Sequence, residues 1–448
     1  MKSFIYSVFC IIVMLTCNSC KKLLDEKPDG KLAVPETLDD LESLLGNTTM
    51  MNNTRLGLGE ASADNYTLTT ELWGALGDGD KQIYLWGDDI TPEVESISST
   101  WFMCYRAIYY ANTVLEVLDG RWRGKEDARV NHIKGKALFI RAFYYLVLVT
   151  SWCPAFEEKL ADETVGIPLR LGSDFNEVSQ RATLRACYQH IEQDLNNALQ
   201  LLPVMIASPV SPGKASAYAL LSRMYMAMSA YEEALSAAEA CLAITDDLMD
   251  YDAVDDTPTY SFLYDNREVL FSTWGCVGVL AYGIAYGVDT MLYNSYHDLD
   301  RRKELFFRRN TDGTIRFRGS YFGASNPFTG LAIDEVLLNK AECLVRKEEN
   351  FRGIETLNKL LRFRYKKHYP LPLPTMDEDD LKLILTERRK ELIFRDIRWM
   401  DLKRLNKEKD FETTVTREIN GQKFELLPNS TRYALPLPEN VLNNTDMK

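Results

Sequence analysis

Apolar side chains recur at helical spacing over most of the chain. Trp101, Tyr105, Ile108 and Leu115, with Asn112 among them, fall at alternating steps of four and three, which is one helix face. Ser98, Ser99 or Thr100 can cap the start of this helix, and Asp119-Gly120 can stop it. A second helix is predicted from about Asn131 to Thr150, with Pro154 beyond it. Thr183 can cap a third, whose inner face carries Tyr188, Ile191, Leu195, Ala198 and Leu202 before Pro203 ends it. A fourth follows Pro212-Gly213 and presents Ala217, Leu220 or Leu221, Met224 and Met228. A fifth begins near Tyr231 with Ala234, Ala238 and Leu242 inward. Only Ser229-Ala230 separates the fourth and fifth, so the two should form an antiparallel hairpin. Further helical blocks are predicted over about Gly330–Tyr365 and Glu378–Lys407. In the last block, Glu387-Arg388-Arg389-Lys390-Glu391 mixes both signs and supplies intrahelical pairs rather than a basic patch.

Small residues on one helix face let two helices approach closely, and large ones fill the gap to the next pair. That is the logic of a tetratricopeptide-like scaffold of helical hairpins, so the predicted class is mainly α. The repeat is degenerate, with no strict period. Two stretches interrupt it. Residues 46–97 are rich in Gly, Asn, Thr and Asp and carry Tyr66, Trp73, Tyr84 and Trp86. Residues 250–328 carry Tyr264, Trp274, Tyr282 and several further tyrosines among glycines. Both are read as loop-rich, partly β insertions. Loops held on a rigid frame are where binding tends to sit.

Composition narrows the function. Apolar residues make up 46% and charged residues 26% of 448, a globular balance. Lys and Arg number 52 against 65 Asp and Glu, a formal charge of -13, which argues against a nucleic-acid binder. Four histidines make a His-rich metal site a poor fit, and no CxxC pair or HExxH run provides a metal motif. There is no GxxxxGK[ST] loop and no GxSxG elbow. Acidic clusters such as Glu378-Asp379-Asp380 do not supply the fixed carboxylate spacing that glycoside hydrolysis needs. The chemistry favours a non-enzyme with no cofactor and no metal.

The first residues point to export. Lys2 precedes an apolar run from Phe4 to Thr16, of signal-peptide length and too short to span a bilayer. Ser19-Cys20 then fits a lipoprotein cleavage position. Residues 1–19 are read as signal peptide and Cys20 as the lipidated residue, which would hold the protein on a membrane without a spanning helix. Residues 20–448 are read as a single domain.

Several blocks in a fixed order carry a family resemblance. They are Leu24-Asp25-x2-Pro28, Trp101-x3-Tyr105-x2-Ile108-x3-Asn112, and Gly135 through Arg141 to Tyr145 with Trp152 and Pro154. Gly166-Ile-Pro168, Asn266-Arg-Glu268 and Glu335-x6-Ala341-Glu342 follow. Glu387-Arg388-Arg389-x-Glu391-x6-Arg398-Trp399-x-Asp401 is the most specific, and Tyr433-x-Leu435-Pro436-Leu437-Pro438 closes the series. In these the chain resembles the SusD/RagB family of outer-membrane nutrient-binding lipoproteins. Cys153 departs from the glycine more usual in the family at that place. The motif residues Arg141, Glu387, Arg398 and Asp401 are expected to pair across helix crossings rather than to touch a ligand.

The resemblance implies a lipid-anchored receptor on the outer face of the outer membrane. It would capture a glycan, or a peptide, and pass it to a SusC-like TonB-dependent transporter. A pyranose stacks its C–H face on Trp or Tyr while its hydroxyls seek Asn, Asp and Arg. Trp73, Trp86 and Asn65 in the first insertion, and Trp274 and Tyr282 in the second, are therefore the expected ligand residues. Two rival functions are a tetratricopeptide-type envelope scaffold and a surface polysaccharide hydrolase or lyase.

Overall fold

The computed structural model describes residues 35–53, 57–87, 95–125, 127–174, 176–204, 206–275, 287–375, 378–438 and 441. The signal segment with Cys20, and Tyr282 in the second insertion, lie outside the described residues. Residues up to Leu41 form one unit and residues 42–448 another. In the first, Thr37 and Asp40 cap each other: the Asp40 carboxylate accepts from the Thr37 N–H, and the Thr37 hydroxyl accepts from the Asp40 N–H.

Residues 42–448 are mainly helical, as the periodicity predicts. Two long helices, α1 (Glu95–Arg121) and α2 (Ala128–Trp152), lead into α3 (Leu184–Leu201), α4 (Lys214–Ala227) and α5 (Tyr231–Leu242). After the second insertion come α6 (Ile333–Arg346), α7 (Asn350–Leu361), α8 (Glu378–Glu391) and α9 (Arg398–Leu405). From α1 to α7 each helix packs on the one before it, with α5 handing on to α6. Of the predicted caps Thr183 recurs, accepting from the Ala186 N–H, whereas Ser98–Thr100 and Asp119-Gly120 lie inside α1, which runs past them at both ends. Asp127 starts α2 by accepting from Arg129 and Val130.

The two later blocks each break in the middle. Gly330–Tyr365 divides at Lys347–Glu349, where Glu348 takes a left-handed backbone (φ 63°). Glu378–Lys407 divides at 392–397, with Phe394 (φ 57°) and Asp396 (φ 59°) left-handed. No Gly or Pro marks either break, which is why periodicity alone runs through them. Strands are short pairs: Val165–Pro168 with Arg181–Thr183, Val269–Phe271 with Leu331–Ala332, and Phe307–Arg309 with Ile315–Phe317. A hairpin that periodicity did not predict joins strands Val415–Ile419 and Gln422–Leu426 across Asn420-Gly421, both at positive φ.

Arginine–carboxylate pairs fasten the helix crossings. Arg141 on α2 makes two 2.7 Å bonds to Asp194 on α3 and a third, of 2.9 Å, to Asn112 on α1. Arg223 on α4 grips Glu335 on α6, and Arg404 on α9 grips Glu342 on the same helix. Arg388 on α8 spans Asp401 on α9 and Asn339 on α6. Such two-pronged contacts fix direction as well as distance. The C-terminal Tyr433–Pro436 run is also frame: the Trp399 and Trp152 indoles donate to the carbonyls of Tyr433 and Pro436.

Close approach uses glycine at one further place. A Cβ on Gly353 of α7 would lie 2.5 Å from Val345 Cγ2 and 3.0 Å from the Ala341 carbonyl of α6. Gly353→Ala is expected to lower stability by about 2 kcal/mol, the usual cost of overpacking. Urea unfolding checks this, and an unchanged midpoint would mean that the helix pair has slack.

Candidate functional site

The two insertions meet. The first holds four short helices, Thr48–Met51, Leu58–Ser62, Thr70–Gly74 and Asp78–Leu85, where loops and strands were expected. Its short strand Tyr66–Thr67 pairs antiparallel with Gly287–Val288 of the second insertion. The Asp289 N–H donates to the Asn65 carbonyl at that junction. A second join lies at Asn52 and Asn53: the Trp274 N–H donates to the Asn52 carbonyl, and the Asn52 side chain donates to Ser272 O at 2.7 Å.

At this second join three rings gather from three separate segments. Trp274 stacks on Phe322 with centroids 4.6 Å apart and planes 15° from parallel. Tyr264 stands edge-on to both, at 5.7 Å in each case. All three are half-buried, so part of each ring surface meets solvent. The loop under them is tight. Gly323 is left-handed (φ +73°), and a Cβ there would sit 2.9 Å from the Phe262 carbonyl. Ser320 donates to Asn326 O and closes the same turn. The result is an aromatic step, with the backbone of Asn53 bridged to that of Trp274 beside it.

The other expected ligand residues divide between surface and interior. Trp73 is half-buried on its short helix, with Lys81 Nζ 5.5 Å from its ring centre. Trp86 is 5% exposed. Its indole N–H donates to Ser62 O at 2.9 Å, and the Arg417 guanidinium lies 4.5 Å from its ring. The same guanidinium covers Tyr84 and Tyr66, so a C-terminal arginine clamps the first insertion from inside. Asn65 is buried too, donating to Glu60 at 2.6 Å and accepting from Arg389. Trp86 and Asn65 therefore support the loop from within and present little to solvent. Their partners Arg417 and Arg389 lie far off in sequence, which hides their inward direction from local patterns. Tyr264 and Phe322 were the site residues that single-segment reading missed; only the fold brings them to Trp274.

Electrostatics around the first insertion are those of a frame. Burial alone would raise the Asp64 carboxyl, but the charges of Arg398 and Arg389 and the bonds from Arg398 hold it well below the usual carboxylate range. Among the described residues no group of three or more His, Cys, Asp or Glu is placed to hold a metal ion. No helix among them is long and apolar enough to cross a membrane.

Two family models match this chain. One, described as starch-binding associating with outer membrane, covers residues 22–226; the other, described as the SusD family, covers residues 323–446. The chain belongs to the SusD/RagB family. Two SusD-like proteins of Formosa agariphila, P25 and P2, are each 27% identical to it, over 181 and 250 residues. These matches cover 37% and 52% of this chain, and 33% and 45% of the relatives, so the chain spans a third to under half of their length. Solved structures extend the likeness to nearly the whole chain. A SusD superfamily protein from Bacteroides thetaiotaomicron has a TM-score of 0.74 at 20% identity, covering 92% of this chain and 98% of that one. A putative sugar binding protein from Bacteroides vulgatus gives 0.75 at 21%, with 93% and 98% covered. A SusD-like carbohydrate binding protein from the same species gives 0.71 at 20%, with 92% and 98%. At such identities it is the SusD fold that is shared. The mainly helical class and the SusD/RagB resemblance are thereby established.

Proposed function

We propose that this SusD/RagB protein is a non-catalytic receptor that captures a glycan on the outer face of the outer membrane. It is held there by lipid on Cys20 and hands the glycan to a SusC-like TonB-dependent transporter. The observation that carries the reading is the half-exposed step of Tyr264, Trp274 and Phe322 where the two insertions join. Flat, partly exposed rings suit the apolar C–H face of a sugar. The family description as starch-binding and the naming of two structural neighbours as sugar or carbohydrate binding support the ligand class. Trp73, half-exposed on the first insertion, and Tyr282 are proposed as further ligand contacts. Trp86 and Asn65 contribute by bracing the first insertion from within.

The test is electrophoresis through gels holding soluble starch, xylan, mannan or galactan. The wild type should be retarded in at least one. Trp274→Ala with Phe322→Ala should then weaken retention at least tenfold, a loss of ~1.4 kcal/mol or more, and Trp274→Phe should keep most of it. Equal retention by the double variant would remove the platform from the reading. Release of reducing ends by purified protein would overturn the non-catalytic assignment. Mild-detergent purification from native membranes should bring a TonB-dependent barrel in stoichiometric amount.

A further inference from the structure

The helix α1 has two ring-bearing faces, and only one is used by the core. Trp101, Cys104, Ile108, Ala111 and Leu115 face inward and are buried. Phe102, Tyr105 and Tyr109, at steps of three and four, form a second stripe on the flank of the helix. The stripe is about 10 Å long at ~1.5 Å per residue. Phe102 is 47% exposed, and Tyr105 and Tyr109 are half-buried. Facing them are Pro168, Arg170, Gly172 and Ser179. Between the two runs an open groove of about 320 Å³, floored by Trp101 and Asn112. That volume lies in the range of small-ligand sites.

The groove is built rather than left over. The Tyr105 hydroxyl donates to Pro168 O at 2.8 Å. The Asn112 amide donates to Arg170 O and Gly172 O, while its oxygen accepts from Arg141, so floor and far wall are fixed to the frame. The Arg170 guanidinium donates to the carbonyls of Glu177 and Asp174 and to the Ser179 hydroxyl. The carboxylates of Glu116, Asp174 and Glu177 stand nearby. Among the described residues that line the groove Arg170 is the one cation, and it is enclosed by oxygens. With three carboxylates around that single guanidinium the local balance is negative and an anion is disfavoured, whereas ring faces rimmed by hydroxyls and amides suit a neutral, polyhydroxylated ligand.

We propose that this groove is a second saccharide site, separate from the Trp274 platform, taking a neutral sugar residue of a longer chain against Phe102 and Tyr109. The ligand class rests on the glycan-receptor reading above; the location does not. Two variants test it in the polysaccharide gels. Phe102→Ala with Tyr109→Ala strips the stripe, and Ser179→Trp fills the groove while leaving the rings in place. Both should lower retention of the full-length protein at least threefold on the polymer that retards the wild type, with the melting temperature held. They should leave binding of a short oligosaccharide of that polymer, measured by calorimetry, unchanged. Wild-type retention in both variants would overturn the second site and leave the Trp274 reading standing. Loss of barrel co-purification with retention unchanged would overturn it in favour of a protein-docking face. A wild type retarded by none of the four polymers would remove the glycan reading itself, and the second site with it.

Discussion

Arg302→Met is expected to cost about 3–5 kcal/mol of folding stability, the range for breaking a buried ion pair by removing one partner. Arg302 has no solvent exposure. Its guanidinium bonds Asp300 at 2.8 Å, Glu391 at 2.9 Å and Glu387 at 2.5 Å, and those carboxylates are themselves buried. Lys390 and Arg364 share the cluster, bonding Glu387 and Glu391, so three cations stand among the three carboxylates that Arg302 touches. Methionine fills the volume but leaves two cations to hold three carboxylates plus the Glu268 that Arg364 also serves. The surplus negative charge has no water to turn to. The comparison is Arg129, whose pair with Glu42 has both side chains more than two-fifths exposed. Arg129→Met should stay within about 0.5 kcal/mol of wild type. Urea unfolding of both variants decides the matter. If Arg302→Met unfolds within 1 kcal/mol of wild type, the cluster is hydrated or its carboxylates are protonated in the fold.

How much of this was legible in sequence follows from how local each signal is. The helix pairs were readable because a core-facing stripe repeats within eighteen residues, as Tyr188 to Leu202 does, and because Thr183 sits at the cap position. The break at Glu348 was not, because its left-handed helix end closes with local bonds, Glu348 N–H to Val345 O and Glu349 N–H to Leu344 O, without the glycine that usually marks one. The break at Phe394–Asp396 was not, because tertiary bonds hold it. Asp396, for example, is gripped by the Gly57 and Glu60 N–H groups from the other end of the chain. The hairpin at Asn420-Gly421 did leave a signal, an Asn-Gly turn after alternating Val415, Arg417 and Ile419. At the site, aromatic-rich insertions were visible by composition, and Trp274 fell on the surface step. Trp86 has the same composition around it but turns inward, because Arg417 lies under its ring. Composition places rings in a loop; it does not say which way they face.

The contact between Asp396 and the first insertion leads to the second large expected effect, a pH dependence centred on Glu60. This carboxyl is buried, and burial is the main cause that pushes it up from 4.5 to about 8, with Asp396 and Asp64 adding to the rise against the bond from Asn65. Asp396 is itself pushed up to about 6, again by burial, against the opposing bonds from Glu60 and Gly57. A carboxyl raised in the fold holds its proton there while the unfolded chain has already lost it. Stability from Glu60 is therefore present below pH ~4.5, falls as pH rises from there to about 8, and is then level. The slope is about 1.4 kcal/mol per pH unit for one proton, so the window is worth on the order of 4 kcal/mol. Glu342 works in the opposite sense. Burial would raise it, but Arg404, Arg346 and Arg388 bring it down to about 2, so its contribution is lost as pH falls from 4.5 toward 2. The two together place the stability maximum near pH 4.5. Glu60→Gln removes the first ionisation. Its expected signature is a stability difference from wild type that moves in the variant's favour by several kcal/mol between pH 5 and pH 9, whatever the offset at pH 5. Urea midpoints at half-unit steps measure it. Parallel curves for the two proteins across that range would mean that Glu60 is ionised in the folded state and that another group balances it.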